Sequence, residues 1–464
     1  MKKIFILSVF LVFSFYYAKS QTTNQYSSNQ MAALIHDLRN AQSGDVFQLS
    51  TPGGIYVVDS AYLPVTTNIT IEALPGLAEK PIIKLVQGGL SSQYDYLIRF
   101  TGSDVSLTLK GIELQGDATA SKYAIRTAKV GDFGVYSGYS DASYDKQPIQ
   151  TYNLTIDNCD FNGFTEGSYG YAINLYPGTL GKKVSIENST FSQIERNAIE
   201  AYTNTSEIKA HGYWQFVDSL TISNCTFYNI GRAAIEIKST DTAAVSGLNN
   251  LIINHATFDS CAWNNSNPSK YHTLMVDYVN AKISNSIFSD DVSTDYIFEL
   301  TNSASVVRNI GVWNLGDGAG MSDTIHSSGS VTNIYSGNPG YQDRAVGNFM
   351  LSSNSPFLGK ATDGYALGDL RWDPDYSTGI QQITADNKEL VVYANRNSVY
   401  IKFKNNKSHS GTVILENISG QIVYQKVLSG ASQQVLHTQL PPGIFIVVVK
   451  MKDGCILAKK IIIS

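Results

Sequence analysis

Seven short segments share one layout, with a polar residue set between apolar neighbours. They are Leu97-Ile-Arg99-Phe, Ala124-Ile-Arg126-Thr, Ala172-Ile-Asn174-Leu, Ala198-Ile-Glu200-Ala, Ala234-Ile-Glu236-Ile, Met275-Val-Asp277-Tyr and Ile297-Phe-Glu299-Leu. In a strand, apolar neighbours pointing inward leave the central residue pointing outward. Stacked strands would therefore display Arg99, Arg126, Asn174, Glu200, Glu236, Asp277 and Glu299 as one column. Two residues further on, the same face carries Tyr176, Tyr202 and Lys238, and four residues earlier Arg196 and Arg232 align. Carboxylates repeating at ~4.8 Å repel one another unless something compensates. A Ca²⁺ ion would do so through carboxylate and amide oxygens. Lys238, Arg196 and Arg232 would do so without metal, and a plain solvated polar face is the third reading.

The elements that must hold such a column are legible as a repeat. Asn153–Phe161, Val184–Phe191, Leu220–Phe227, Leu251–Phe258 and Ala281–Phe288 follow one pattern, with phenylalanines recurring after 30, 36, 31 and 30 residues. Alternating apolar positions predict a short strand, and asparagine three places before the phenylalanine predicts a turn. Asn158, Asn188, Asn224 and Asn285 are expected to stack as a ladder, with the phenylalanines stacked inside. Val105–Leu114 is a degenerate earlier copy. Short strands at this period, with no amphipathic helix between them, predict an all-β fold: a right-handed parallel β-helix. Its open N-terminal end is expected to be plugged by a capping helix between Asn29 and Asn40, through Met31, Leu34, Ile35 and Leu38.

Composition narrows the partners. The 464 residues carry a formal charge of −5, with 16% charged residues and four cysteines. This excludes a disulfide framework and offers nucleic acid no basic surface. Cys159 and Cys225 fall in coils separated by a third, too far apart to bridge, and read as buried thiols. Lys2-Lys3, the apolar run Ile4–Phe13 and the small residues Ala18 and Ser20 predict a signal peptide over 1–20. The body, 21–379, carries −14, whereas the end from Ile380 has 10 Lys+Arg against 4 Asp+Glu. Two modules are expected: a β-helix domain over 21–375 and a small antiparallel β-sandwich over 380–464. The long insertions 127–151, 203–218 and 263–272 bring Trp214 and several tyrosines toward the edges of the column's sheet. Aromatic walls beside a polar floor suit a sugar chain.

From about residue 30 to 375 the sequence resembles the secreted β-helix proteins of the chondroitinase-B and alginate-lyase group, polysaccharide lyase family 6. The likeness lies in the helix followed by Gly44-Asp45, in the coils with asparagine before phenylalanine, and in the ending Ser355-Pro356, Asp363-Gly364, Gly368-Asp369 and Arg371-Trp372. It implies a Ca²⁺-assisted β-elimination of a uronate-containing polysaccharide. Under it, Asn174, Glu200 and Glu236 resemble the calcium ligands, Lys238 the base, and Arg232 a substitute for the acid. Arg126, Tyr176, Arg196, Tyr202 and Trp214 are the expected substrate-binding residues. The family spaces its two glutamates one residue apart, which this chain does not. Where the family places its acid arginine, on the following coil, this chain has Met275-Val276-Asp277.

The tail resembles the C-terminal sorting domain of the type IX secretion system of Bacteroidetes. The matching features are Ile418-Ser-Gly-Gln421, Leu440-Pro-Pro-Gly443 and the closing Lys459-Lys460-Ile-Ile-Ile. It implies partnership with that machinery, export across the outer membrane and surface attachment, with a monomer expected. Two functions follow: a secreted lyase, or a surface β-helix that binds glycan or serves structurally without catalysis. A glycoside hydrolase using Glu200 and Glu236 is a third, but no second acidic cluster accompanies that pair.

Overall fold

A computed structural model describes residues 21–464, apart from 60–61, 87–95, 118–121, 128–149, 166–169, 177, 203–214, 239–248, 264–271, 277–278, 292–296, 301, 316–324, 377–389, 396–397, 404–409, 418–421, 430–432, 438–442, 452–455 and 464. The predicted signal peptide, Trp214 and Asp277 lie outside the described residues. Two compact units divide at Pro374 and Asp375.

The first unit is a parallel β-helix. One path of strands runs Asp45–Leu49, Ile69–Ala73, Val105–Lys110, Gln150–Asp157, Thr179–Glu187 and Leu220–Ile230, each hydrogen-bonded in parallel to the next. Alternation along Gln150–Asp157 buries Gln150, Tyr152, Leu154 and Ile156. The strand then turns at Asn158, whose φ is +52°. Asn188, Asn224 and Asn285 repeat this at +51°, +51° and +54°, and His255 takes the same corner at +52°. Asparagine tolerates this left-handed conformation better than most side chains, which explains its recurrence. The predicted ladder is only partly asparagine on asparagine. Asn224 Nδ2 donates to Asn188 Oδ1 at 3.4 Å, but Asn188 donates to Asp157 Oδ1 at 2.8 Å and Asn285 to Asn254 Oδ1 at 2.9 Å.

Past the corner the phenylalanines stack. Phe161, Phe191, Phe227, Phe258 and Phe288 have successive ring centroids 4.6, 4.7, 5.0 and 4.7 Å apart, nearly coplanar and buried. That spacing is the coil rise itself, so one ring per coil fills the interior without a gap. A second left-handed corner follows two residues later, at Gln193, Asn229, Ser260 and Asp290. It turns the chain onto a third face, a parallel sheet of nine described strands from Leu63–Val65 to Ile325–Ser327.

The helix Met31–Arg39 caps the N-terminal end by burying Met31, Leu34 and Leu38. A strand the sequence pattern does not announce, Thr23–Tyr26, pairs ahead of Asp45–Leu49; its three exposed polar residues hide the periodicity. Cys159 and Cys225 are free and buried, and burial pushes each thiol up to about 12. Residues 360–373 lie as a strap along the asparagine corners. Arg371 Nη1 and Nη2 donate to the carbonyls of Asn188 and Ser189, both at 3.0 Å. Asp369 accepts from Thr226, Thr362 pairs with Asn285, and Asn309 donates to the Lys360 carbonyl.

The second unit has a three-stranded and a four-stranded antiparallel sheet. Val399, Ile401 and Leu436 from one, and Val413, Leu415, Phe445, Val447 and Val449 from the other, form a common apolar core, giving a small sandwich. The strand Gln433–His437 was not separable by pattern from its polar surroundings.

Candidate functional site

The third face carries the column. Pairing sets Arg99 beside Arg126, Arg126 beside Asn174, Asn174 beside Glu200, and Glu200 beside Glu236. The next residue in line is Met275, followed by Glu299 and His326. Register, with Leu274 opposite Ile235, puts Met275 in line with Glu236, while Asp277, the expected column residue, lies outside the described residues.

The polar face is not plainly solvated. Asn174 and Glu236 are each 7% exposed although they point away from the apolar interior. Asn174 Nδ2 donates to Glu200 Oε2 at 2.6 Å, leaving its own Oδ1 buried and, among the described residues, without a hydrogen-bond partner. Asn197, buried on the coil between, donates to Glu236 Oε2 at 2.6 Å and accepts the Ala233 amide at 3.1 Å. Burial first, and the negative charge of Glu236 second, push the Glu200 carboxyl up to about 8. Hydrogen bonds from Tyr171 and Asn174, and the charge of Arg196, oppose that rise without cancelling it.

The remaining predicted residues fall as follows. Lys238 is half-buried on the strand of Glu236, two residues on, in register with Tyr202. Tyr202 is placed by its backbone, and its side chain lies outside the described residues. Arg196 and Arg232 align at the corner before the face, where the Arg232 amide donates to the Arg196 carbonyl at 3.1 Å. Arg196 Nη1 donates to the Tyr171 hydroxyl at 2.6 Å. The Arg126 guanidinium lies 4.6 Å from the Tyr123 ring centroid and 5.2 Å from that of Tyr176.

These contacts belong to a ladder the sequence reading missed. Tyr62, Tyr96, Tyr123 and Tyr171 cluster along the face, the last three buried. Tyr123 and Tyr171 stack at 5.3 Å, and Arg99 lies over both Tyr62 and Tyr96. The available signal was a tyrosine three residues before the column residue in Tyr96-Leu-Ile-Arg99, Tyr123-Ala-Ile-Arg126 and Tyr171-Ala-Ile-Asn174. Elsewhere, a cleft of about 300 Å³ lined by Glu72, Glu79, Lys80, Lys110 and Asp157 borders the asparagine corners and shares no residue with the column.

The donor set suits a hard cation. It comprises two carboxylates and an amide oxygen lacking a partner, and calcium takes oxygen ligands of these kinds. Among the described residues no three His, Cys, Asp or Glu side chains group as metal ligands. A cation held here would need the Asn174 amide oxygen besides the two carboxylates, and further oxygens from solvent or ligand.

With this geometry in view, residues 394–464 match the model of the secretion system C-terminal sorting domain. The tail is a secretion sorting domain. It marks the chain for the type IX machinery and for attachment at the outer surface. No curated protein matches the sequence. Among solved structures, the PL6 family alginate lyase AlyGC and an arginine-to-alanine mutant of it are similar at 19% identity, with TM-scores of 0.41 and 0.46. The similarity covers 68% and 69% of this chain but only 39% and 38% of theirs, so the chain spans under two fifths of their length. ORF18 of Geobacillus virus E2 is similar over 94% of this chain and 86% of its own, at 12% identity and a TM-score of 0.37. No residue correspondence follows from likeness at this level.

Proposed function

We propose that the β-helix is a surface-attached, calcium-assisted lyase that cleaves a uronate-containing polysaccharide by β-elimination. The observation that carries it is the buried, partnerless Oδ1 of Asn174 beside the Glu200 and Glu236 carboxylates. A buried acceptor left unmade costs about 1–3 kcal/mol, and the Glu200 carboxyl, pushed up by burial and then by the charge of Glu236, adds to that cost. A cation bound by these three oxygens would relieve both and, with sugar present, neutralise the uronate carboxylate.

The chain's own residues then divide the work. Lys238, on the same strand and face as Glu236, would accept the proton next to the sugar carboxylate. The bond to the leaving oxygen breaks as the ring double bond forms, and Arg232 at the neighbouring corner supplies positive charge to that oxygen. The body's charge of −14 repels a polyanion, which is why this reading requires calcium.

One observation favours a second reading, a glycan-binding or structural β-helix without catalysis. Met275 stands next to Glu236, on the coil where the resemblance places the family's acid arginine. The test is to incubate the full chain with alginate, pectate, chondroitin sulfate and dermatan sulfate, with Ca²⁺ or with chelator. The lyase reading expects near-UV absorbance from unsaturated uronates that disappears with chelator and in Lys238→Ala. Binding of any of these polymers without product supports the second reading.

A further inference from the structure

On the coils around the two glutamates, the residue three places before the column residue serves the carboxylate of the following coil. Tyr171, three before Asn174, hydrogen-bonds to Glu200 on the next coil. Asn197, three before Glu200, donates from Nδ2 to Oε2 of Glu236 at 2.6 Å, again one coil on. Ala233, three before Glu236, has no side-chain donor, and the next coil holds Met275, which needs none. A donor therefore stands where a carboxylate follows and is missing where methionine does.

The orientation of Asn197 is set by its other end. The side chain is 1% exposed, in the bend between Thr190–Ile194 and Ile199–Tyr202. The Ala233 amide donates to its Oδ1 at 3.1 Å, and only the oxygen of the amide group can accept there, so Nδ2 is turned to Glu236. A hydrogen bond to an ionised carboxylate is stronger than one between neutral groups. A carboxylate already held in place also spares an arriving ion the entropy of ordering it.

We propose that Asn197 is a positioning residue for the cation site, holding the Glu236 carboxylate in the orientation the ion requires before the ion binds. The inference rests on the calcium reading of Asn174, Glu200 and Glu236, and adds the group that orders one of those ligands. Asn197 itself acts from behind the ligand, because its oxygen is engaged by the Ala233 amide. Groups that orient a ligand in this way are worth about 10–100-fold in metal affinity.

The test uses the full chain and two probes. Calorimetric titration gives the Ca²⁺ affinity, and luminescence lifetimes of bound Tb³⁺ in H₂O and D₂O count the waters on the ion. Tb³⁺ stands in for Ca²⁺ as a hard cation that takes oxygen ligands. In Asn197→Ala the calcium Kd should rise about tenfold, and bound Tb³⁺ should gain about one water as Glu236 loses its fixed geometry. Asn197→Ser, whose hydroxyl is too short to reach Glu236 but leaves room for a water on the Ala233 amide, should behave in the same way. It decides the matter should Asn197→Ala not fold. A merely structural Asn197 would lower the Tm of the calcium-free chain while the calcium Kd stays within about twofold of wild type and the water count is unchanged. That result overturns the proposal and leaves the calcium reading standing. Failure of the wild type to bind either ion sinks the calcium reading and this inference with it, so the two failures are distinguishable.

Discussion

Asn174, Glu200 and Glu236 could be selected from the sequence because each stands between inward-facing apolar residues, and alternation is a property of the strand itself. What alternation could not supply was register, which sets Met275 opposite Glu236. Nor could it supply burial. Glu236 and Asn174 point outward yet are 7% exposed, because neighbouring side chains cover them. Burial has a measurable consequence for Glu200. Burial, with the charge of Glu236 beside it, pushes its carboxyl up to about 8, so the fold prefers the protonated form. The stability this contributes is complete below the unfolded value and is lost as pH rises through about 8. Without calcium, Tm should fall over that window, by at most ~2–4 °C for each ~1 kcal/mol lost. In Glu200→Gln the decline should flatten, and adding calcium to the wild type should do the same. A Tm profile identical in wild type and Glu200→Gln would show that the carboxyl is not perturbed.

At the scale of elements, each coil is a strand, a left-handed corner, a phenylalanine strand, a second corner and a strand of the third face. The first corner and the phenylalanine were visible because asparagine and phenylalanine recur at a fixed offset. The second was not, because Gln193, Asn229, Ser260 and Asp290 share a conformation but no side-chain type. The strap was likewise hidden, since its bonds from Arg371 to the Asn188 and Ser189 carbonyls join residues far apart in sequence through backbone atoms. Phe227 tests how far the stack holds the solenoid together. Its ring lies between Phe191 at 4.7 Å and Phe258 at 5.0 Å, with no exposed surface. Phe227→Ala should cost about 3–5 kcal/mol, seen as a lower urea midpoint, whereas Phe227→Leu should cost less than half of that. Equal costs for the two would contradict this, and would mean that the stacked ring itself, and not the volume it fills, is the source of stability.

For the whole molecule, a basic tail on an acidic body was legible as charge, and its sandwich strands as alternation. The sorting domain over 394–464 gives that division its purpose, since it marks the acidic body for the outer surface. Removing residues 394–464 should abolish surface display, leaving the chain inside the cell envelope; fractionation checks this, and unaltered display would contradict the assignment. The acidic body and its column also set the central claim, that calcium sits among Asn174, Glu200 and Glu236. Calcium titration of the full chain by calorimetry tests it most directly, alongside Asn174→Ala and Glu236→Gln. The account predicts a binding event in the wild type that both substitutions remove, with the fold intact by circular dichroism. Calcium binding that survives both substitutions, or none in the wild type, would contradict it.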